Sequence, residues 1–276
     1  MIHLLIALAL ARPDPSALWE AVDAARIDAV PNSLAPSEQA IATQFFAEVV
    51  RTAPSGVVPQ DFERRASALG FDVEYGAGFV LLRPVGGAAD GIYVVRLGEV
   101  EHNIVLQAPH AWFDLKTGRL SCLLFEEGVG QVLMLNSGQR YGVEGVNADL
   151  ADLNDTLFQA FTLGAVEGLD QPLVIQLHGF GKKQTRAVAV LSPGSALHDP
   201  DVLAEFRGDL DFLLRGRAAS GETVPKLAGR RNAQGIALSS RARFLHLELS
   251  SKARKHLVED PELRADFAEM LEGWAR

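Results

Sequence analysis

The chain has 276 residues, 48% of them hydrophobic and 22% charged, and carries a net charge of −9 at pH 7. Such a length and composition suit one large α/β domain with a true core. The acidic balance without a long basic run argues against nucleic acid as a partner, since phosphate contacts need a basic patch.

In chain order, residues 1–11 (MIHLLIALALA) form an apolar opening with small residues at Ala9 and Ala11, followed by Arg12 and Pro13. This reads as a candidate signal peptide, although it is short and lacks a basic start. A cleaved leader implies a periplasmic or extracellular protein; without one the chain is cytoplasmic. Residues 15–53 read as two helices. Ser16 caps the first and Ser37 the second, which carries Ile41, Phe45, Val49 and Val50; Pro31 and Pro36 lie between them. Residues 1–55 are thus expected as an N-terminal segment ahead of an α/β domain over 56–276, whose first helix begins at Pro59. FDVEY, GFVLLRP and GIYVVRL follow as strands separated by glycine-rich turns, the pattern of an antiparallel meander.

From Asn103 onward strands and helices alternate. NIVLQAP, QVLMLN, PLVIQLH, AVAVLS and RFLHLELS read as strands. GRLSCLLFEEG, DTLFQAFTLGAVEG, DPDVLAEFRGDLDFLL and Pro261–Trp274 read as helices. Alternation implies crossover connections, and near-continuous apolar strands imply helices on both sides. The expected fold is an α/β three-layer sandwich: a mostly parallel mixed sheet, helices on both faces, and a helical N-terminal extension. The single cysteine, Cys122, excludes an internal disulfide and sits in an apolar helical run as a small core residue. No run reaches the roughly 18 apolar residues of a membrane span. The basic stretch Arg215–Arg231 reads as a solvated loop or as a contact for an anionic substrate. GFGKK lacks the spacing of a phosphate loop, and LSPGS is not a nucleophile elbow.

The chemistry concentrates where strands run out. NIVLQAPH ends at His110 and PLVIQLHG at His178, and open α/β sheets gather ligands outside the carboxyl ends of their strands. If those strands are neighbours the two imidazoles converge, and Asp114, four residues after His110, can join them. Two histidines and a carboxylate are a ligand set for Zn²⁺ with one open position. In LHLEL, His246, Glu248 and Ser250 share the face opposite Leu245, Leu247 and Leu249. A carboxylate there needs a partner or a task, and a general base beside an activated water is such a task. Arg140, in the loop after QVLMLN, and Arg231, ahead of the Glu248 strand with Asn232 beside it, are candidate anchors for a substrate carboxylate. In VNADLADLNDT, Asp149, Asp152, Asn154 and Asp155 cluster, with Asn154 or Asp155 expected to cap the next helix.

These motifs resemble the zinc-carboxypeptidase-like α/β hydrolases, in particular the branch of N-formylglutamate amidohydrolases and phage-type poly-γ-glutamate hydrolases. APHAWFDLKTG supplies His110, Asp114 and Thr117; QLHGF supplies His178 and Gly179; FLHLELS supplies Glu248. The resemblance spans residues 103–250. It implies a zinc-dependent hydrolase that cleaves an amide or peptide bond next to a carboxylate-bearing group, with Glu248 as general base. Three features depart from the pattern: the acidic ligand is Asp rather than Glu, the intervening loop is shorter, and the first histidine lacks the HxxE spacing of the digestive carboxypeptidases, which leaves Glu126 or Glu127 as alternative ligands. A metal-dependent esterase or deacetylase, and a non-catalytic binding protein of the same fold, are the alternative readings.

Overall fold

The computed structural model describes residues 17–27, 29–141, 145–181, 183–194 and 200–276. The apolar opening and Ser16 lie outside the described residues. Helix α1 (Ala17–Ala24) is followed by α2 (Pro36–Thr52) and α3 (Phe62–Ala68). The second helix starts one residue before the expected Ser37 cap. Ala35 is the N-cap, and its N–H donates to Glu38 Oε2 at 2.7 Å, so the side chain three residues on serves the exposed donor.

Strands β1 (Phe71–Gly76), β2 (Phe79–Pro84) and β3 (Ile92–Arg96) form the expected antiparallel meander. Then come β4 (Ile104–Ala108), α4 (Thr117–Glu126), β5 (Val132–Leu135), α5 (Leu157–Gly168) and β6 (Leu173–Phe180). The chain continues through β7 (Ala189–Ser192), α6 (Pro200–Leu213), β8 (Ala218–Ser220), α7 (Ala233–Leu238) and β9 (Arg243–Ser250), and ends in α8 (Ser251–Glu259) and α9 (Pro261–Trp274). Among the described residues these strands form one nine-stranded sheet, ordered β1-β2-β3-β5-β4-β6-β9-β7-β8. Its centre, β5-β4-β6-β9, is parallel. Strand β7 returns antiparallel to β9. The link from Phe180 to Ala189 holds no helix among its described residues, and a parallel return needs a crossover of a dozen residues or more.

The pleat sorts side chains into two cores. Leu106, Leu133, Ile175, Leu177, Leu247 and Leu249 face α1, α4, α6, α8 and α9. Val105, Val132, Met134, Val174 and Phe244 face α2, α3, α5 and α7. Helices therefore cover both faces, as the apolar strands predicted. The helices before residue 55 are built into these cores: Phe46 of α2 stacks on Phe161 of α5 with ring centroids 4.3 Å apart, and Trp19 of α1 meets Trp112 at 5.1 Å.

Chain order also locates a cleft. From β4 the chain crosses by α4 to β5 on one side, then by α5, on the opposite face, to β6 on the other side of β4. The carboxyl ends of β4 and β6 thus diverge at a switch point, where an open α/β sheet leaves a crevice. Three elements went unread in the sequence, the first being the three-residue edge strand β8, which lies within the basic stretch read as a loop. Helix α8 is so polar that only Ala253, Leu257 and Val258 mark its apolar stripe, beside the buried Arg254, and α7 is a single short segment capped by Asn232. No helix among the described residues is long and apolar enough to cross a membrane.

Phe161 is fully buried and also lies 4.4 Å from the ring of Tyr93. Phe161→Ala is expected to destabilise the protein by about 3–5 kcal/mol in equilibrium chemical denaturation, by loss of transfer energy plus a cavity.

Candidate active site

His110 follows β4, and its carbonyl accepts the N–H of Asp114 at 2.9 Å, so the four-residue turn folds the carboxylate back over the imidazole. Thr117, the first residue of α4, donates its hydroxyl to the Asp114 carbonyl at 2.8 Å and fixes that turn. His178 lies on β6, which pairs with β4, so the two imidazoles meet as expected. Nδ1 of His110 is 3.0 Å from Nδ1 of His178. Asp114 Oδ2 is 3.2 Å from the first and 3.5 Å from the second. The Gly179 N–H donates to the same oxygen at 3.0 Å. All three side chains are at least 95% buried.

The protons on these rings can be assigned by accounting outward to backbone carbonyls. Gln234 Nε2 donates to Leu150 O at 3.0 Å, so Gln234 Oε1 accepts from Gln176 Nε2 at 3.2 Å. Thr162 gives its hydroxyl proton to Phe158 O and therefore accepts from Gln107 Nε2, which leaves Gln107 Oε1 to accept from Gln176 Nε2 at 2.9 Å. Both neighbours place the Gln176 NH₂ on the same side. Its Oε1 is then an acceptor, and the contact of 2.7 Å to His178 Nε2 is a donation from the ring. On the other side of the site Asp149 Oδ1 accepts from His110 Nε2 at 2.7 Å. Burial opposes the Asp149 charge, but the hydrogen bond and charge of His110, with Arg140, outweigh it and hold its pKa at about 2. In the neutral ring of either histidine Nδ1 is therefore a bare lone pair.

Two such lone pairs and a carboxylate oxygen face one another with no proton of their own. Burial works against the Asp114 anion, yet His110 and His178, which donate to it from Nδ1 when their rings are charged, hold it well below the usual carboxylate range. Burial, and then the neighbouring His246, depress His178 to about 4. Burial also disfavours the charged form of His110, but its hydrogen bonds to Asp114 and Asp149 prevail and raise it. Such a cluster satisfies itself with a shared proton or a cation. Ligand atoms about 2.0–2.1 Å from one tetrahedral ion stand about 3.3–3.4 Å apart, and the three separations here, 3.0, 3.2 and 3.5 Å, bracket that value. The residues fit a Zn²⁺-sized ion, with both Nε2–H groups held by acceptors of the kind that orient metal-bound histidines.

Glu248 lies directly across from His178 in the β6–β9 register. Its Oε1 is 3.5 Å from His246 Nε2, and its Oε2 is buried with no hydrogen-bond partner among the described residues. The expected grouping of His246 and Glu248 on one face holds, and the rings of His178 and His246 lie 4.3 Å apart. These groups open into a cavity of about 540 Å³ that also takes in Arg140, Asp152, Gln184, Lys226, Arg230 and Arg231.

The remaining expectations divide. Arg231 reaches the cavity wall and has no ion-pair partner among the described residues. Arg140 also reaches the cavity, but its Nε is committed to Asp149 Oδ2 at 2.8 Å. Asn232, expected to donate to substrate, instead caps α7 through Oδ1 and donates Nδ2 to Gln176 Oε1 at 2.5 Å. Glu126 and Glu127 are excluded as alternative ligands: they end α4 at the far side of the sheet, where Glu126 accepts from Leu18 N and Glu127 pairs with Arg264 at 2.6 Å. Thr156, not Asn154 or Asp155, caps α5, because Asp155 is bound to Ser33. The basic stretch is not simply a solvated loop, since Lys226, Arg230 and Arg231 line the cavity.

Sequence reasoning missed Gln107, Gln176, Gln234, Arg254 and the role of Asp149. A signal was present: Gln107 and Gln176 interrupt two apolar strands shortly before each histidine and are register partners. Arg254 is buried beneath the site, where it donates to Leu115 O at 2.8 Å and to Leu249 O. A Cβ on Gly179 would fall 2.1 Å from its guanidinium, so any larger residue after His178 would displace the Arg254 head group from its place beneath the site.

Neither a family model nor a curated protein sequence matches the chain. Solved structures to which it is similar include N-formylglutamate amidohydrolase from Ralstonia eutropha JMP134, with a TM-score of 0.46 and 13% identity over 68% of this chain and 97% of that one. A second is succinylglutamate desuccinylase from Chromobacterium violaceum, at 0.44 and 13% over 84% and 73%. A third is bacteriophage poly-γ-glutamate hydrolase, at 0.39 and 15% over 66% and 87%.

Gln176→Leu removes the acceptor that holds the His178 tautomer. Zn²⁺ affinity, measured by competition with a chromophoric chelator, is expected to fall about 10–100-fold; an unchanged affinity would show that the amide does not orient the ring.

Proposed function

We propose that the protein is a zinc-dependent hydrolase of amide or peptide bonds in substrates that carry a carboxylate. The observation that carries this reading is the convergence of His110 Nδ1, His178 Nδ1 and Asp114 Oδ2 beside a Glu248 oxygen that has no hydrogen-bond partner among the described residues, in an open cavity. A hydrolase needs a place for a cation, a base next to it, and room for substrate, and these residues supply all three. A zinc ion held by His110, Asp114 and His178 supplies Lewis acidity, which polarises the amide carbonyl and acidifies water.

The chain's own groups do the rest. Glu248 Oε2 takes the proton of the attacking water as its oxygen bonds to the carbonyl carbon. The same carboxyl then gives that proton to the leaving nitrogen as the C–N bond breaks, so the products are a carboxylic acid and an amine. Asp149 and Gln176 keep both Nδ1 lone pairs turned inward. Arg231, with Lys226 and Arg230 on the same wall, binds the substrate carboxylate, and a guanidinium does so with two parallel hydrogen bonds.

Purified protein is expected to contain about one zinc per chain by elemental analysis. His178→Ala should lose it. Glu248→Gln should keep it while turnover of N-acyl amino acids falls by about 10²-fold or more. Protein that takes up no zinc, or a Glu248→Gln variant that turns over normally, contradicts the assignment.

A further inference from the structure

The cleft has two unlike ends, and the sheet order sets them on opposite sides of the reacting groups. Across β5-β4-β6-β9-β7-β8, the loop carrying Lys226, Arg230 and Arg231 follows β8 on one side. On the other side, the loops leaving β4 and β5 present aromatic side chains to solvent. Phe113, between His110 and Asp114, is 47% exposed, and Tyr141 is 67% exposed. Their rings meet edge to face at 4.8 Å and 88°. Leu115, on the same loop as Phe113, is 73% exposed.

This rim stands outside the cavity lining but is joined to it by Arg140. The guanidinium carbon lies 5.6 Å from the Phe113 ring and 5.7 Å from the Tyr141 ring, while Nε is held by Asp149 and the side chain lines the cavity. Arg140 is thus a pinned platform that orders two exposed rings at the mouth of the site. An ordered aromatic pair beside a cavity offers a large apolar contact face that loses little side-chain freedom on binding.

Resting on the reading of the site as an amide hydrolase, we propose that the substrate is an amide joining an apolar acyl group, seated on Phe113 and Tyr141, to an amine portion whose carboxylate meets the Arg231 wall. The orientation follows from the chemistry. Glu248 returns its proton to the leaving nitrogen, so the amine portion lies on the β9 side, toward the cationic loop. The acyl portion then extends over β4 and β5, where the rim is. An acyl chain too short to reach the rim gains nothing from it.

The test uses the zinc-supplemented full chain. N-phenylacetyl-L-glutamate and N-acetyl-L-glutamate are titrated calorimetrically into Glu248→Gln protein, and hydrolysis of both is followed with the unaltered chain. The phenylacetyl compound is expected to bind about tenfold tighter or better, the scale on which apolar pockets discriminate. Tyr141→Ala and Phe113→Ala, each added to Glu248→Gln, should draw the affinity ratio toward one, whereas Arg231→Gln should weaken both ligands alike. Equal affinities, a ratio untouched by the rim variants, or no binding of either ligand overturns the proposal. Rim-dependent preference without hydrolysis keeps the seating of the apolar acyl group on Phe113 and Tyr141 and overturns the amide-hydrolase reading; hydrolysis of both compounds with no preference does the reverse.

Discussion

The orientation of one buried amide, that of Gln176, is the constraint on which the rest of the site depends. Its NH₂ is claimed by Gln107 and Gln234, each anchored in turn through a donation to a backbone carbonyl, directly or through Thr162. Its oxygen must then accept, from Asn232 and from His178. An unsatisfied buried amide group costs about 1–3 kcal/mol, so flipping Gln176 would forfeit several bonds at once. The network transmits a proton position from the α5 and α7 helices to a ring on β6. Asp149 does the same for His110 with a carboxylate in place of an amide. The outcome is two inward lone pairs that the fold itself leaves unprotonated in the neutral rings, next to an anion.

Topology explains why those rings meet. The two crossovers from the β4–β5–β6 region run on opposite faces, so β4 and β6 are adjacent while their following loops separate. A histidine at the end of each strand then overlooks one crevice, and β9, paired with β6 in register, brings Glu248 level with His178. The face that carries Gln176, His178, His246 and Glu248 continues the core formed by Val174 and Phe244. The polar residues begin where the covering helices leave room, which is how carboxylate and imidazole groups can be nine-tenths buried yet border a cavity.

Much of this was legible in the sequence, for physical reasons. Strands buried on both faces are apolar throughout, so the places where they stop, His110 and His178, stand out. The period of two fixes the face of Glu248 without knowledge of its neighbours. The supporting residues were hidden by the same logic. Gln107 and Gln176 look like minor interruptions of apolar strands until the strands are paired, and only then do they become partners. Asp149 sits in a loop whose path depends on the whole fold, and four acidic or amide residues in that loop are locally equivalent. Arg254 belongs to α8, a helix with too few apolar residues to register as one. Asn232 illustrates a residue type that serves caps and substrates equally well; its place at the start of α7, against Gln176 of β6, decides for the cap.

The central claim is that the inward lone pairs of His110 and His178, with Asp114, hold a metal ion. X-ray absorption at the zinc edge of the zinc-loaded protein tests it most directly. The account predicts two imidazole nitrogens and one or two oxygens at about 2.0–2.2 Å, with one imidazole lost in His178→Ala. A zinc ion with no imidazole neighbour, or a spectrum unchanged by His178→Ala, would contradict it.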